Sequence, residues 1–159
     1  QFKGLKQVLA LCKQNDINTA IETNGTCQNI QQLLPYLDLV ICDYKHYDQD
    51  KLQKIIGVKN QYTNQIVELI NSKVPLWIRT VLIHNFNDSE QDAYNFLKVF
   101  SNLDCSHVKF EFLAYHEYGK CKWEKIGKPY TIQDGFITQS KLDFFENLFS
   151  SHNLNIIRS

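Results

Sequence analysis

The sequence predicts an α/β protein built on a parallel sheet, and three observations carry that prediction. Apolar residues recur with a helical period in some stretches and as short continuous runs in others, and the two kinds alternate along the chain. The runs are mostly apolar throughout rather than at every second residue, as strands covered by helices require. The length, 159 residues, is one domain's worth, for which area scaling predicts about 70% of the unfolded surface buried.

The elements follow in order. Phe2, Leu5, Val8, Leu9 and Cys12 form one stripe of a helix over roughly 2–15 that ends near Asn15 and Asp16. Ile17 to Thr23 reads as a strand closed by Asn24-Gly25, a turn dipeptide. Asn29 is the expected N-cap of a helix over Ile30 to Leu37. Asp38 to Tyr44 is too apolar to be half-exposed and reads as a strand. Helices follow near 48–56 and 61–73, separated by Gly57 and Asn60. Pro75 opens the strand run Leu76 to Ile83, after which Asp88 and Ser89 cap a helix of about fifteen residues. Val108 to Leu113 is a further strand and 115–135 a loop rich in Tyr, Gly and Lys. A last amphipathic helix covers 138–152, and Ile156-Ile157 closes the sheet. Right-handed crossovers between such strands give either an open α/β sheet or part of a (β/α) barrel. In both, chemistry collects at the carboxyl ends of the strands.

Composition narrows the function classes. A hydrophobic fraction of 43%, with 13% aromatics, excludes a disordered chain. Seventeen basic residues balance seventeen acidic ones, which argues against a nucleic-acid or anionic-membrane partner. No apolar run approaches the roughly eighteen residues of a membrane span, and no signal-peptide core opens the chain, so a cytoplasmic protein is expected. Cys12, Cys27, Cys42, Cys105 and Cys121 are an odd set without any Cys-x-x-Cys, so neither a disulfide framework nor a metal site is legible from spacing. Cys12 and Cys42 read as small buried hydrophobes. Met is absent, even at position 1, and the chain opens directly into a helical pattern. A processed chain or, as the favoured reading, a piece of a longer one is expected.

The strand ends converge on one rim. They carry Glu22-Thr23-Asn24-Gly25, Asp43-Tyr44-Lys45-His46, His84-Asn85 after Arg79, and Tyr115-His116-Glu117. Asp43 and Lys45, two apart on a strand, share one face. Arg79 lies within an apolar run and therefore needs an anionic partner. Tyr115, Tyr118, Trp123 and Tyr130 are expected to pack the long loop onto the sheet. No phosphate-binding glycine loop, nucleophile elbow or His-Glu-x-x-His occurs. From the residues alone the rim suits a small polar ligand: Lys for a carboxylate, Asp for a hydroxyl or amine, His for a ring.

The strings Thr23-Asn24-Gly25, Asp38-Leu39-Val40-x-x-Asp43-x-Lys45, Trp77-Ile78-Arg79-x-Val81 and Tyr115-His116-Glu117-x-Gly119-Lys120-x-Lys122-Trp123, in this order and spacing, resemble the pyruvate formate-lyase activating enzymes. These are glycyl-radical-generating members of the radical S-adenosylmethionine superfamily, and the likeness runs from Phe2 to Ile156. The resemblance implies a partial TIM-type (β/α)₆ barrel with parallel strands that binds a [4Fe–4S] cluster and S-adenosylmethionine. It further implies an oxidoreductase activity that places a glycyl radical on a partner such as pyruvate formate-lyase, with a flavodoxin- or ferredoxin-type electron donor. Carried over by position, Asp43, Tyr44 and Lys45 match the segment contacting S-adenosylmethionine, His116 the histidine on its adenosine part, and Arg79 a site arginine. Thr23 and Asn24 fall in the same cofactor-binding set, and Glu22, Thr23 and Asp43 in the neighbourhood of a monovalent cation.

The family's Cys-x-x-x-Cys-x-x-Cys and Gly-Gly-Glu segments do not occur, and Glu22 stands where the family usually has Asp. The implied reading is that residues 1–159 are the C-terminal part of such an enzyme, with N-terminal βα units missing, inactive alone and holding no cluster. An exposed sheet edge and an uncovered helix face would follow, both liable to self-pairing. The alternative is a truncated paralogue that binds a small ligand or a partner without redox chemistry.

Overall fold

The computed structural model describes residues 1–57 and 62–158; Asn60, the expected separator of two helices, lies outside the described residues. The strands are β1 (Ala20–Thr23), β2 (Leu39–Asp43), β3 (Leu76–Leu82), β4 (Val108–Ala114) and β5 (Asn155–Ile156). The helices are α1 (Phe2–Gln14), α2 (Gln49–Ile56), α3 (Tyr62–Asn71), α4 (Glu90–Phe100), α5 (Lys120–Lys125) and α6 (Gln139–Ser151). Each strand lies beside its predecessor, in the order β1-β2-β3-β4-β5, and every pair is parallel. A doubly wound sheet reverses its order at a switch point, whereas this order never reverses. Of the two architectures left open by the residues, the arc of a (β/α) barrel is therefore the one present.

Register sorts the strand residues onto two faces. Val40, Leu76 and Val108 stand level, as do Cys42, Ile78 and Phe110, and all six are buried. They form the core with Leu9, Leu52, Ile66, Leu69, Phe96 and Phe145 from the helices. Phe100, Phe110, Phe112 and Phe149 meet edge to face, with the closest centroids 4.8 Å apart. Each such ring contributes about 1.5–3 kcal/mol by burial. On the other face Ile41, Trp77 and Lys109 stand level, followed by Asp43, Arg79 and Glu111. Ile41 and Trp77 are only half-buried and lie outside the core. That open face helps to explain a total surface of 9854 Å², against about 8,000 Å² for a compact domain of this mass.

Several elements differ from expectation for identifiable reasons. The helix expected over 30–37 is two 3₁₀ turns, Ile30–Gln32 and Leu34–Tyr36, because Pro35 has no N–H to continue an α-helical ladder. Asn29 makes no side-chain cap there. The first strand begins at Ala20 rather than Ile17: Asp16 turns the chain with φ 55°, and Thr19 is held by Asp38 and the Tyr36 carbonyl. Helix α4 has 11 residues, and Ser89 caps it through a reciprocal pair with Asp92, while Asp88 turns to His84 and Asn85. The long loop contains α5. Of the α1 stripe only Leu9 is buried, while Leu5 and Val8 are 40% and 56% exposed. The helix rests on the body through one edge of that stripe, Leu9 with Phe2, flanked by Lys6, which reaches Gln32, and Lys13, which reaches Asp38. Among the described residues, no helix is long and apolar enough to cross a membrane.

Candidate functional site

The carboxyl end of β1 is shaped by its own side chains. Gly25 adopts φ 72°, a left-handed conformation that favours glycine, which is why Asn24-Gly25 follows the strand. Thr23 Oγ1 accepts the Gly25 N–H at 3.1 Å, and Asn24 Oδ1 accepts the Thr26 N–H and hydroxyl at 3.2 and 2.8 Å. The turn holds both residues at the rim.

Parallel register then sets four charges side by side. Arg79, in β3, donates from Nη2 to Glu22 Oε1 at 2.9 Å, and its Nε lies 3.5 Å from Asp43 Oδ1. Lys45 Nζ donates to Asp43 Oδ2 at 2.8 Å. The result is an alternating chain, Glu22–Arg79–Asp43–Lys45, drawn from the ends of β1 and β2 and the middle of β3. Arg79 finds the anionic partners its apolar run demands, and Asp43 and Lys45 share a face as their spacing requires. Lys45 and Asp43 are each about one-third exposed, 32% and 33%, so the pairs add little stability. Their value is to hold two cations and two carboxylates at a half-open rim. Glu111 stands level with Arg79 on β4 and is buried. It was not singled out from the sequence, although a carboxylate in an apolar run beside an arginine's run is the signal that marks it.

Other rim residues lie apart from this chain. Tyr44 points its ring to the helix side, edge to face with Phe96 and Phe100, and burial pushes its hydroxyl up to about 12. Its N–H donates to the Arg79 carbonyl, and its own carbonyl accepts the Thr80 hydroxyl. Tyr44 thus anchors the strand ends between Asp43 and Lys45. His46 is fully buried among Tyr47, Phe86 and Phe96. Its Nδ1 accepts the Asp48 N–H, which leaves Nε2 as the donor toward the Phe86 carbonyl. Burial, with the Lys51 charge next, holds its pKa below the ordinary value. His84 bonds Asp88, which also takes Lys141; burial raises that carboxyl, but the two partners outweigh it and keep it low.

His116 is exposed at the end of β4, stacked on Tyr118 at 4.3 Å rather than bonded to the charged chain. Tyr115 is buried and its hydroxyl meets that of Tyr130, so these two do pack the loop. Tyr118 and Trp123, expected to do the same, are 85% and 42% exposed. The cysteines are scattered: Cys42 is buried with its thiol pushed up to about 12 by burial, Cys105 is buried, and Cys121 is exposed. Among the described residues no three His, Cys, Asp or Glu side chains are grouped to hold a metal.

No family model matches the chain. The chain is 32% identical over 143 residues to the pyruvate formate-lyase-activating enzyme of Staphylococcus aureus (strain USA300), covering 84% of this chain and 57% of that protein. The enzyme of strain N315 matches equally, 32% over 143 residues. The chain thus spans little more than half the length of these curated relatives. The crystal structure of a domain of pyruvate-formate lyase-activating enzyme from Bacteroides vulgatus ATCC 8482 superposes with a TM-score of 0.78 at 18% identity, covering 98% of this chain and 89% of that one. A radical SAM methyltransferase from Sphaerobacter thermophilus gives a TM-score of 0.60 at 13% identity, covering 90% of this chain and 41% of its own. At these identities the likeness is one of fold.

Proposed function

Because the chain is homologous to pyruvate formate-lyase-activating enzymes, we propose that residues 1–159 form the C-terminal part of the barrel of such an enzyme and carry part of its S-adenosylmethionine site. The observation that supports this is the alternating chain Glu22–Arg79–Asp43–Lys45 at the ends of β1 and β2 and on β3 beside them. S-adenosylmethionine presents a carboxylate, an ammonium group, a ribose and an adenine. Lys45 and Arg79 suit the carboxylate, Asp43 and Glu22 the ammonium or ribose hydroxyls, and His116 the adenine. Thr23, the last residue of β1, and Asn24 after it shape the turn beside these charges, and Tyr44 fixes the strand end through its buried ring. Bound there, S-adenosylmethionine supplies the sulfonium carbon–sulfur bond that radical enzymes open reductively. A monovalent cation at Glu22, Thr23 and Asp43 would compete with Arg79 and Lys45, which already engage both carboxylates.

The residues do not fit a [4Fe–4S] cluster, since Cys12, Cys42 and Cys121 sit on separate elements, Cys27 and Cys105 on separate loops, and none joins a group of donors among the described residues. In this reading the cluster ligands come from outside residues 1–159, and this stretch alone generates no radical. The proposed activity of the whole enzyme is hydrogen abstraction from a glycine of a pyruvate formate-lyase-like protein in the cytoplasm, fed by a flavodoxin- or ferredoxin-type donor. The missing donor set also favours a second reading, a paralogue that binds a small ligand without redox chemistry. An in-frame Cys-x-x-x-Cys-x-x-Cys in the coding DNA preceding Gln1 would exclude it.

Calorimetric titration with S-adenosylmethionine tests the site. Weak binding is expected, with a Kd on the order of 0.1–1 mM or about −5 kcal/mol, and Lys45→Ala should weaken it at least about tenfold by leaving a carboxylate unpaired. No measurable binding, or binding indifferent to Lys45, overturns the reading.

A further inference from the structure

Lys45 stands between two buried side chains. Burial alternates over residues 41–46: Cys42, Tyr44 and His46 are buried, whereas Ile41, Asp43 and Lys45 are half-buried. The alternation of a strand therefore runs on past Asp43, where β2 ends, and Lys45 faces the rim because both of its neighbours turn to the helices. Tyr44 and His46 pack on one ring, Phe96 of α4, with centroids 5.7 and 5.8 Å away. Tyr44 is also secured by its backbone bonds to β3. His46 is secured by its ring.

That ring builds the turn that follows Lys45. Nδ1 accepts the N–H of Asp48, two residues on, at 2.9 Å, the same bond that an asparagine side chain makes in an Asx turn. Asp48 Oδ1 in turn accepts the Asp50 and Lys51 N–H groups and caps α2. Tyr47, between them, donates its hydroxyl to Asp92 Oδ1 of α4 at 2.6 Å. The other ring nitrogen contributes less. Nε2 lies 3.5 Å from the Phe86 carbonyl, which already accepts Lys51 Nζ at 2.8 Å. The Nδ1 bond is thus the stronger of the two tethers.

We propose that His46 is a positioning residue for Lys45: by holding the Asp48 N–H on Nδ1 it fixes the backbone from which the Lys45 ammonium reaches a ligand carboxylate. The inference rests on the reading above, in which Lys45 takes that carboxylate, and extends it to the residue that sets where the ammonium stands. A lysine head is a point charge on a flexible four-carbon stem, so its own side chain cannot define its place. Anchoring the backbone on both sides of Lys45 removes freedom that ligand binding would otherwise have to freeze. His46 touches no ligand in this role and acts only through its neighbour.

Titration of the folded chain with S-adenosylmethionine, followed by nuclear magnetic resonance to read weak affinities, tests this. His46→Asn keeps an acceptor for the Asp48 N–H and should hold the wild-type affinity within about twofold. His46→Leu fills the same space without an acceptor and should weaken binding about three- to tenfold by releasing the Lys45 backbone. His46→Gln carries its amide past Asp48 toward Phe86 and should weaken binding as leucine does; it decides the matter if His46→Leu does not fold. Phe149→Leu, in the core on α6, should lower stability and leave affinity unchanged. Affinity that follows stability across these variants, equal losses in the asparagine and leucine variants, or no loss in any of them overturns the positioning role and leaves the ligand site standing. A wild-type chain that binds no S-adenosylmethionine removes the underlying reading instead.

Discussion

His46 shows how one residue's surroundings decide its chemistry. It sits beside Lys45 on the rim, yet its ring is fully buried and its Nδ1 is committed to the Asp48 N–H. Burial disfavours the charged form, so its folded pKa lies below the ordinary 6.5, with Lys51 adding to the fall and Asp92 and Asp48 opposing it. The unfolded state therefore binds the proton more readily, and stability present above pH 6.5 is lost as pH falls below that value. Urea midpoints taken from about pH 7 down to about pH 5 should decline in the wild type. His46→Asn, which keeps an acceptor for Asp48, should flatten the decline; an unchanged slope would assign the pH dependence to another histidine.

At the scale of elements, the strand-end loops are locked by close contact rather than by secondary structure. Gly135 passes against the Tyr115 ring, where an added Cβ would lie 2.7 Å from Cε1 and 2.9 Å from Ile132 Cγ2. Its carbonyl also accepts the His84 N–H, tying the loop to the end of β3. Gly135→Ala must push the Tyr115 ring away and with it the bond to Tyr130. A loss of about 1–3 kcal/mol in urea unfolding is expected, the range for overpacking. Wild-type stability in this variant would show that the loop yields freely. These contacts were not legible beforehand, because nothing local to Gly135 announces the tyrosine 20 positions earlier. At 30–37, by contrast, Pro35 is itself a local sign against a continuous α-helix.

For the whole molecule, two exposed features favour contact between copies. β1 is an edge of the sheet, and α1 before it turns Leu5, Val8 and Leu11 to solvent, the last 58% exposed. An edge strand and an exposed apolar face each favour self-association. Light scattering should show a mass that rises with protein concentration, and Val8→Lys with Leu11→Lys should return it to that of a monomer. A clean wild-type monomer at high concentration would contradict the expectation.

The sequence by itself determined the α/β class and the positions of most strands and helices, because hydrophobic period is a local property, and it placed Glu22, Asp43 and Lys45 at strand ends. It also made an anion beside Arg79 a requirement, since a cation in an apolar run cannot stand alone. Only the tertiary structure decided which anions those are, and that Glu111 stands level with them. It alone turned the Tyr44 ring and His46 inward, His116 outward, and left half of the expected α1 stripe in water. Those outcomes depend on which faces other elements cover, and that coverage is set by contacts between residues far apart in the chain.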